Sequence, residues 1–359
     1  MSHLSKFQIS LQKEGADAAI ISDPIGQRYL SGFRFSDGLV LVTKGESYLI
    51  TDFRYAEAAR KQADPALQVV VPQSGQLLCV AGLLADNHCK TVLFEEQSLS
   101  FASHARYCEI LCDFQLKGGA SRILAELRER KDGEELAVIA RAQSITDAAF
   151  AHILERISPT MTEVDVAVEL EFFMRRSGAE DVAFHTIAVS GTASSLPHGV
   201  PRRVPLEKGF LTMDFGAQVD GYCSDMTRTV VLGKADAEMK RLYETVLSAQ
   251  RAALDAAAEG VACRSLDKIA RDIIDGAGYR GCFGHSLGHG VGMLVHEDPR
   301  LSQSARENSL LSRGHVVTFE PGIYIEEKYG CRIEDMACIR PDGSFYNFTQ
   351  SPKELIELF

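Results

Sequence analysis

Hydrophobic and polar positions repeat along this chain with two periods. Residues 4–14 carry apolar side chains at helical spacing. Residues 18–22 form a short apolar run closed by Asp23 and Pro24, which reads as a buried strand followed by a turn. Residues 38–43 and 47–51 read as strands, with Lys44, Gly45 and Glu46 as the hairpin turn between them. Residues 55–62 are helical, and residues 67–71 and 91–94 are further short strands. Strands alternating with helices predict a small α/β domain with a largely parallel or mixed sheet. It has neither a GxGxxG nor a Walker motif, so no nucleotide is assigned to it.

A boundary falls near Gly118 and Gly119, which divides the chain into domains 1–120 and 121–359. Beyond it lies a helical stretch over about residues 122–156, with a break at Lys131, Asp132 and Gly133. A second helix covers about 162–177, with Thr160 or Thr162 as candidate cap. Strands follow at about 182–190, 209–217 and 222–232, then helices at about 234–258 and 264–277, and residues from about 282 are again strand-rich. The order helix, helix, strand, strand therefore occurs twice. Two short matches support a duplication. Thr212-Met213-Asp214-Phe215-Gly216 resembles Thr318-Phe319-Glu320-Pro321-Gly322, and the stretch around Asp225 resembles that around Glu334. The fold class read from this order is α+β, with a pseudo-two-fold second domain whose halves each deliver two carboxylates to a shared centre.

Composition narrows the function classes. With 359 residues, 45% hydrophobic and 24% charged, the chain is long enough for two soluble domains. Its net charge of -11 argues against general nucleic-acid binding, which needs clustered Lys and Arg. Nine cysteines at irregular spacings fit a reducing compartment better than a disulfide framework. The first residues hold no apolar core of a secretory signal, and the longest apolar run, 77–85, is too short to span a bilayer. A cytoplasmic protein with no membrane partner is expected.

The acids carry the chemistry. Asp214 lies in an apolar strand, where a lone ionised carboxylate loses its hydration at a cost of several kcal/mol. Asp225, Glu320 and Glu334 stand in three further apolar stretches read as strands. Taken singly, each fits a buried salt bridge or a turn cap. Four in a repeated pattern invite a cationic centre. His289 sits between Gly288 and Gly290, which allow close approach of backbone and ion. One imidazole among several carboxylates suits Mn2+, Co2+, Zn2+ or Fe2+. Two such ions, roughly 3.5–4 Å apart, can activate a water and polarise a carbonyl together. His185, His315, His3, His88, His104 and His152 are read as solvated or core histidines.

In Pro197-His198-Gly199, the strand with Asp214, Ser224 to Thr229, His285 to Gly292, Val295-His296-Glu297, Glu320-Pro321-Gly322 and Arg332-Ile333-Glu334, the sequence resembles the pita-bread metallopeptidases. These include methionine aminopeptidase, Xaa-Pro aminopeptidase and prolidase. The motifs occur in the family's order and run through nearly the whole chain. The resemblance implies that Asp214 chelates one metal, His289 and Glu320 the other, and Asp225 and Glu334 both. It implies Glu320 as general base and then acid, His296 and His198 as hydrogen-bond donors to the substrate carbonyl and oxyanion, and Arg332 as support for a carboxylate ligand. Two divalent ions follow, with Mn2+ or Co2+ foremost and Zn2+ or Fe2+ as alternatives.

The first domain selects a branch. Asp23 to Phe33 and Ile50 to Tyr55 resemble the creatinase-type N-terminal domain, which proline-specific members carry and methionine aminopeptidases lack. In that branch His285 would lie near the proline end of the substrate. Creatinase itself uses no metal, so the full ligand set here argues against amidine hydrolysis. The expected activity is cleavage of the Xaa-Pro bond at the N-terminus of short proline-containing peptides. A strict Xaa-Pro dipeptidase is the alternative, because Arg300 matches an arginine that prolidases place near the free carboxylate. A non-catalytic binding protein on the same fold is the remaining reading. A homodimer is implied by the resemblance alone.

Overall fold

The computed structural model describes residues 1–359. The chain divides into two compact units, Met1–Arg128 and Glu129–Phe359.

The first unit runs α1 (His3–Lys13), β1 (Ala18–Ile21), α2 (Pro24–Ser31), β2 (Gly38–Thr43), β3 (Ser47–Thr51), α3 (Phe53–Gln62), β4 (Leu67–Val70), α4 (Gln76–Asp86), β5 (Thr91–Phe94), α5 (Phe101–Ile110), β6 (Gln115–Gly118) and α6 (Ala120–Glu129). Its six-stranded sheet has the order β4-β3-β2-β1-β5-β6, with β1–β2 and β2–β3 antiparallel and the other pairs parallel. The mixed sheet and the hairpin at residues 44–46 agree with the sequence reading. The turn read at Asp23-Pro24 is instead the start of α2. Asp23 accepts from the amides of Ile25 and Gly26, and Pro24 takes the first helical position, where its missing N–H costs nothing.

The second unit opens with α7 (Gly133–Arg156) and α8 (Glu163–Arg176). The break read at residues 131–133 is the cap of α7: Asp132 accepts from the Glu135 amide and the Glu135 side chain accepts from the Asp132 amide. Thr162 and Asp165 form the same box on α8. Then come β7 (Asp181–Val182), β8 (Ile187–Ser190), β9 (Gly209–Phe215), β10 (Ala217–Val219), β11 (Tyr222–Cys223) and β12 (Met226–Leu232). Helices α9 (Ala237–Asp255) and α10 (Cys263–Ile274) begin the second half. It continues with β13 (Gly288–Gly290), β14 (Glu297–Leu301), β15 (Val316–Phe319), β16 (Gly322–Ile325), β17 (Tyr329–Arg332), β18 (Asp335–Ile339), β19 (Phe345–Asn347) and β20 (Glu357–Leu358).

The two halves repeat one arrangement. In the first, β8, β9 and β12 form an antiparallel ladder. In the second, β13, β15 and β18 do the same. Each ladder has its own core. Leu211, Met213 and Phe215 of β9 pack with Phe150 of α7 and Leu170 of α8. Val317 and Phe319 of β15 pack with Val246 of α9 and Leu266 of α10.

Period-2 alternation then decides where the polar residues go. On β9 the odd positions enter the helix-covered core, so Thr212 and Asp214 share the opposite face. On β12, Thr227 and Thr229 stand directly across from Asp214 and Thr212. On β15, Thr318 alternates with Val317 and Phe319 and leads to Glu320. No helix of the structure is long and apolar enough to cross a membrane.

Candidate metal centre

The five ligand-type residues converge at the ends of these ladders. Of the four acids only Asp214 lies inside a strand. Asp225 precedes β12 by one residue, Glu320 follows β15, and Glu334 sits between β17 and β18, which corrects the reading of four acids within four strands. The difference has a physical basis: strand ends leave carboxylates free to turn inward, whereas mid-strand positions are fixed by the pleat. Asp225 is two residues before Thr227 and so lies on the same face, diagonal to Asp214.

His289 is held on both sides. A Cβ on Gly288 would meet the Thr318 carbonyl oxygen at 2.0 Å, and one on Gly290 would meet that of Asp298 at 2.2 Å. Only glycine permits the backbone to pass there. His289 Nδ1 lies 3.1 Å from the Gly290 carbonyl, which can only accept, so Nδ1 carries the proton and the Nε2 lone pair is free. Nε2 faces Glu320 Oε1 at 3.2 Å and Asp225 Oδ2 at 3.7 Å. Ligand atoms of Asp225, His289 and Glu334 all lie within 4.8 Å of one another.

The acids are supported from outside the cluster. Arg332 Nη2 donates to Asp214 Oδ2 at 2.5 Å, so the carboxylate it holds directly is Asp214, and its near neighbour Glu334 is reached only through Thr227. Arg332 Nε donates to Thr227 Oγ1 at 2.9 Å, and that hydroxyl donates on to Glu334 Oε2 at 2.7 Å. Arg332 Nη1 donates to the Tyr324 hydroxyl at 2.7 Å, which in turn lies 3.0 Å from His285 Nε2. His285 Nδ1 points at the Ser286 carbonyl at 2.9 Å. The proton order is therefore fixed from Arg332 through Tyr324 to a neutral His285. Burial pushes the Tyr324 hydroxyl up to about 12, which keeps it a donor.

Electrostatics test whether these residues suit a metal. Burial, together with repulsion from Asp214 and Glu320, pushes the Asp225 carboxyl far above its usual range. Burial and then Asp225 do the same to Glu334. Burial also raises Asp214, against the Arg332 charge. Glu320 goes the other way: burial raises it, but the facing His289, with His285 and Arg332, together outweigh burial and bring it to about 2. Asp214 Oδ1 is buried and has no hydrogen-bond partner. Four acids, one imidazole and an orphaned carboxylate oxygen form a donor set that lacks cationic charge, and two divalent ions would balance it. The residues fit the metals.

A cavity of about 440 Å³ opens over this cluster. It lies within the range of small-molecule sites, about 300–1,000 Å³. All ten residues singled out in the sequence line it: the five ligand-type residues with His198, His285, His296, Arg300 and Arg332, Glu320 serving in two capacities. His185 lines it too, so its reading as merely a solvated or core histidine is incomplete. His315 is buried against Glu129 at 3.2 Å and stays a core residue. Apolar walls come from Phe184, Ile187, Pro197 and Val295. The His296 ring stands 4.3 Å from the His289 ring, and burial, then the His289 and Arg300 charges, lowers its pKa to about 4. Arg300 pairs with His289 through the backbone of β14, and its side chain makes no ion pair or hydrogen bond. Thr227 and Tyr324 were missed in the sequence because neither residue type signals metal support.

Two halves with their own cores, closing on an acid-rich centre, define a metallohydrolase. Residues 137–341 match the model of metallopeptidase family M24, and residues 3–130 match the creatinase/prolidase N-terminal domain. The chain is 39% identical to the uncharacterized peptidase YqhT of Bacillus subtilis, over 99% of both chains. It is similar to the Xaa-Pro dipeptidase from Bacillus anthracis, with 37% identity, 99% of each chain covered and a TM-score of 0.94. It is also similar to the X-Pro aminopeptidase from Thermotoga maritima, with 36% identity, 96% of this chain and 98% of that one covered and a TM-score of 0.90. The chain belongs to metallopeptidase family M24. It is a metal-dependent peptidase with a creatinase-type N-terminal domain and a pita-bread catalytic domain, and the family's centres are dinuclear.

Proposed function

We propose that the protein hydrolyses the Xaa-Pro bond of short peptides and that Xaa-Pro dipeptides are its best substrates. The relatives named above support the Xaa-Pro bond as target. The dipeptide preference is carried by one observation: Arg300 is a guanidinium in the cavity lining with no partner of its own. A planar fork of donors left free is suited to a terminal carboxylate.

In this reading Asp214, Asp225, His289, Glu320 and Glu334 would hold the two divalent ions, Asp214 on one side of the centre and His289 with Glu320 on the other. Mn2+ or Co2+ suits this oxygen-rich set. Such ions, when bound, would supply an acidified water and Lewis-acid polarisation of the carbonyl. Glu320 takes the proton of the attacking water and returns it to the departing proline nitrogen. His296, neutral because its pKa lies near 4, donates an N–H to the carbonyl oxygen, and His198 donates a second. Arg332 and Thr227 hold Asp214 and Glu334 in place. Tyr324 orients His285 beside the proline ring.

A second reading is cleavage of longer Xaa-Pro peptides. It is favoured by the exposure of His185, His198 and Arg300 at the cavity, which leaves room for a third residue to extend outward. Hydrolysis of Ala-Pro against Ala-Pro-Ala, with Mn2+ or Co2+ and a chelator control, separates the two. A higher kcat/KM for Ala-Pro supports the dipeptide reading. A higher value for Ala-Pro-Ala replaces it with an aminopeptidase, and cleavage of neither removes both.

A further inference from the structure

We infer that Asp267 and Arg271 of α10 are positioning residues that clamp the segment from Phe283 to Leu287 and thereby set the place of His285. The inference deepens the Xaa-Pro reading and rests on it for the role of His285.

The segment leads into β13, and its Leu287 carbonyl accepts from the Glu320 amide at 2.8 Å. Three of its other main-chain groups are met by two side chains one helical turn apart. Arg271 Nη1 donates to the Phe283 carbonyl at 2.6 Å, and Nη2 donates to the His285 carbonyl at 2.9 Å. Asp267 Oδ1 accepts from the Leu287 amide at 3.0 Å. The two side chains also join each other through two bonds of 3.0 Å, Nε to Oδ2 and Nη2 to Oδ1. The Arg271 guanidinium lies 4.3 Å over the Phe283 ring. Backbone groups before, at and after His285 are thus tied to one rigid helix. Asp267 is fully buried, so its charge is tolerable only with this partner.

The other half contains a counterpart. Glu163, at the start of α8, is also fully buried. It accepts from the Ser190 amide at 2.7 Å and the Arg202 amide at 2.9 Å, and pairs through two bonds with the Arg202 side chain, at 2.9 and 2.7 Å. Ser190 and Arg202 bracket the loop that carries His198. In both halves the second helix therefore supplies a buried acid, paired with an arginine, that captures the loop of a cavity-facing histidine. The places differ, since Glu163 heads its helix and holds the loop after β8 while Asp267 lies a turn into its helix and holds the segment before β13, but in both a buried acid–arginine pair fixes the backbone around a cavity histidine.

The rival role is plain stabilisation of the α10 junction. The two differ in a double-mutant cycle, because a residue that acts through His285 has nothing left to contribute once His285 is gone. Arg271→Met is expected to lower kcat/KM for Ala-Pro about tenfold or more, with metal content equal to the parent's. In a His285→Ala background the same change is expected to cost less than about twofold. Equal losses in both backgrounds overturn the inference. Should Arg271→Met fail to fold, Arg271→Lys takes its place, since one point donor cannot serve both carbonyls. Hydrogen exchange supplies a readout independent of activity: faster exchange over residues 283–287, with other segments of the unit unchanged, is expected. Unchanged exchange there overturns the clamp. A parent enzyme inert towards Ala-Pro would remove the proposed function, while the exchange result would still decide the clamp.

Discussion

The guanidinium of Arg332 reaches from the second half to Asp214 in the first, 2.5 Å from Oδ2, while Oδ1 of the same carboxylate is buried with no partner. One oxygen is held and the other is presented. Through Nε and the Thr227 hydroxyl the same arginine also reaches Glu334. Two carboxylates from different halves therefore share one support, and the support can be tested apart from the ligands.

Thr227→Val keeps the shape of the strand and removes that shared hydroxyl. It is expected to weaken metal affinity or activity about 10–100-fold, the usual effect of an outer hydrogen bond to a ligand. Loss of the buried bond should cost about 1–3 kcal/mol of stability in addition. Metal titration and thermal unfolding measure the two effects separately. Affinity and activity like the parent's would mean that Thr227 does not hold Glu334.

Asp225→Asn removes a charge where burial and neighbouring acids already disfavour it. The fold should survive, because a neutral amide is easier to bury than an unpaired carboxylate. Nearly all activity and at least one metal ion per chain should be lost. Full activity with metal supplied would take Asp225 out of the centre.

Arg300→Ala tests the reader of the free carboxylate. Ala-Pro should lose about tenfold or more in kcat/KM, while Ala-Pro-Ala, whose proline carboxyl is in a peptide bond, should lose much less. Equal losses would leave Arg300 as a general feature of the cavity wall.

A pH effect is expected away from the centre, in the first unit. Burial, working against hydrogen bonds from the Ser22 and Asp23 amides, raises Glu95 from 4.5 to about 7. The folded unit thus holds this proton more tightly than the unfolded chain. Its contribution to stability is full below about pH 4.5 and falls as pH rises to about 7, by about 3 kcal/mol at most. Glu95→Gln should flatten this slope. Hydrogen exchange in β1 and β5 measured across that range reports it, and an unchanged slope in the variant would assign the pH dependence elsewhere.

The elements and ligands were legible to different degrees. Asp214 stood out because an ionisable group in an apolar strand is physically conspicuous, and His289 because glycines flank it. The start of α2 at Asp23 was read as a turn, since an Asp-Pro pair signals both. The bond between Arg332 and Asp214 spans 118 residues of sequence, so no local pattern could reveal it. Thr227 looked like any β-branched strand residue. Asp267 and Arg271, four apart on a helix, drew no notice in the sequence, because an i,i+4 pair of opposite charges does not show the loop it holds. What sequence patterns convey is burial and periodicity. What they omit is which distant side chains share a hydrogen bond.

The most direct measurement strips the protein of metal and titrates Co2+ back while Ala-Pro hydrolysis is followed. The expected result is no hydrolysis in the stripped protein and a rise that levels off near two equivalents per chain, about the number that a paired-ion centre requires. Undiminished hydrolysis by fully stripped protein, or binding of no ion at all, would contradict a catalytic centre built from Asp214, Asp225, His289, Glu320 and Glu334.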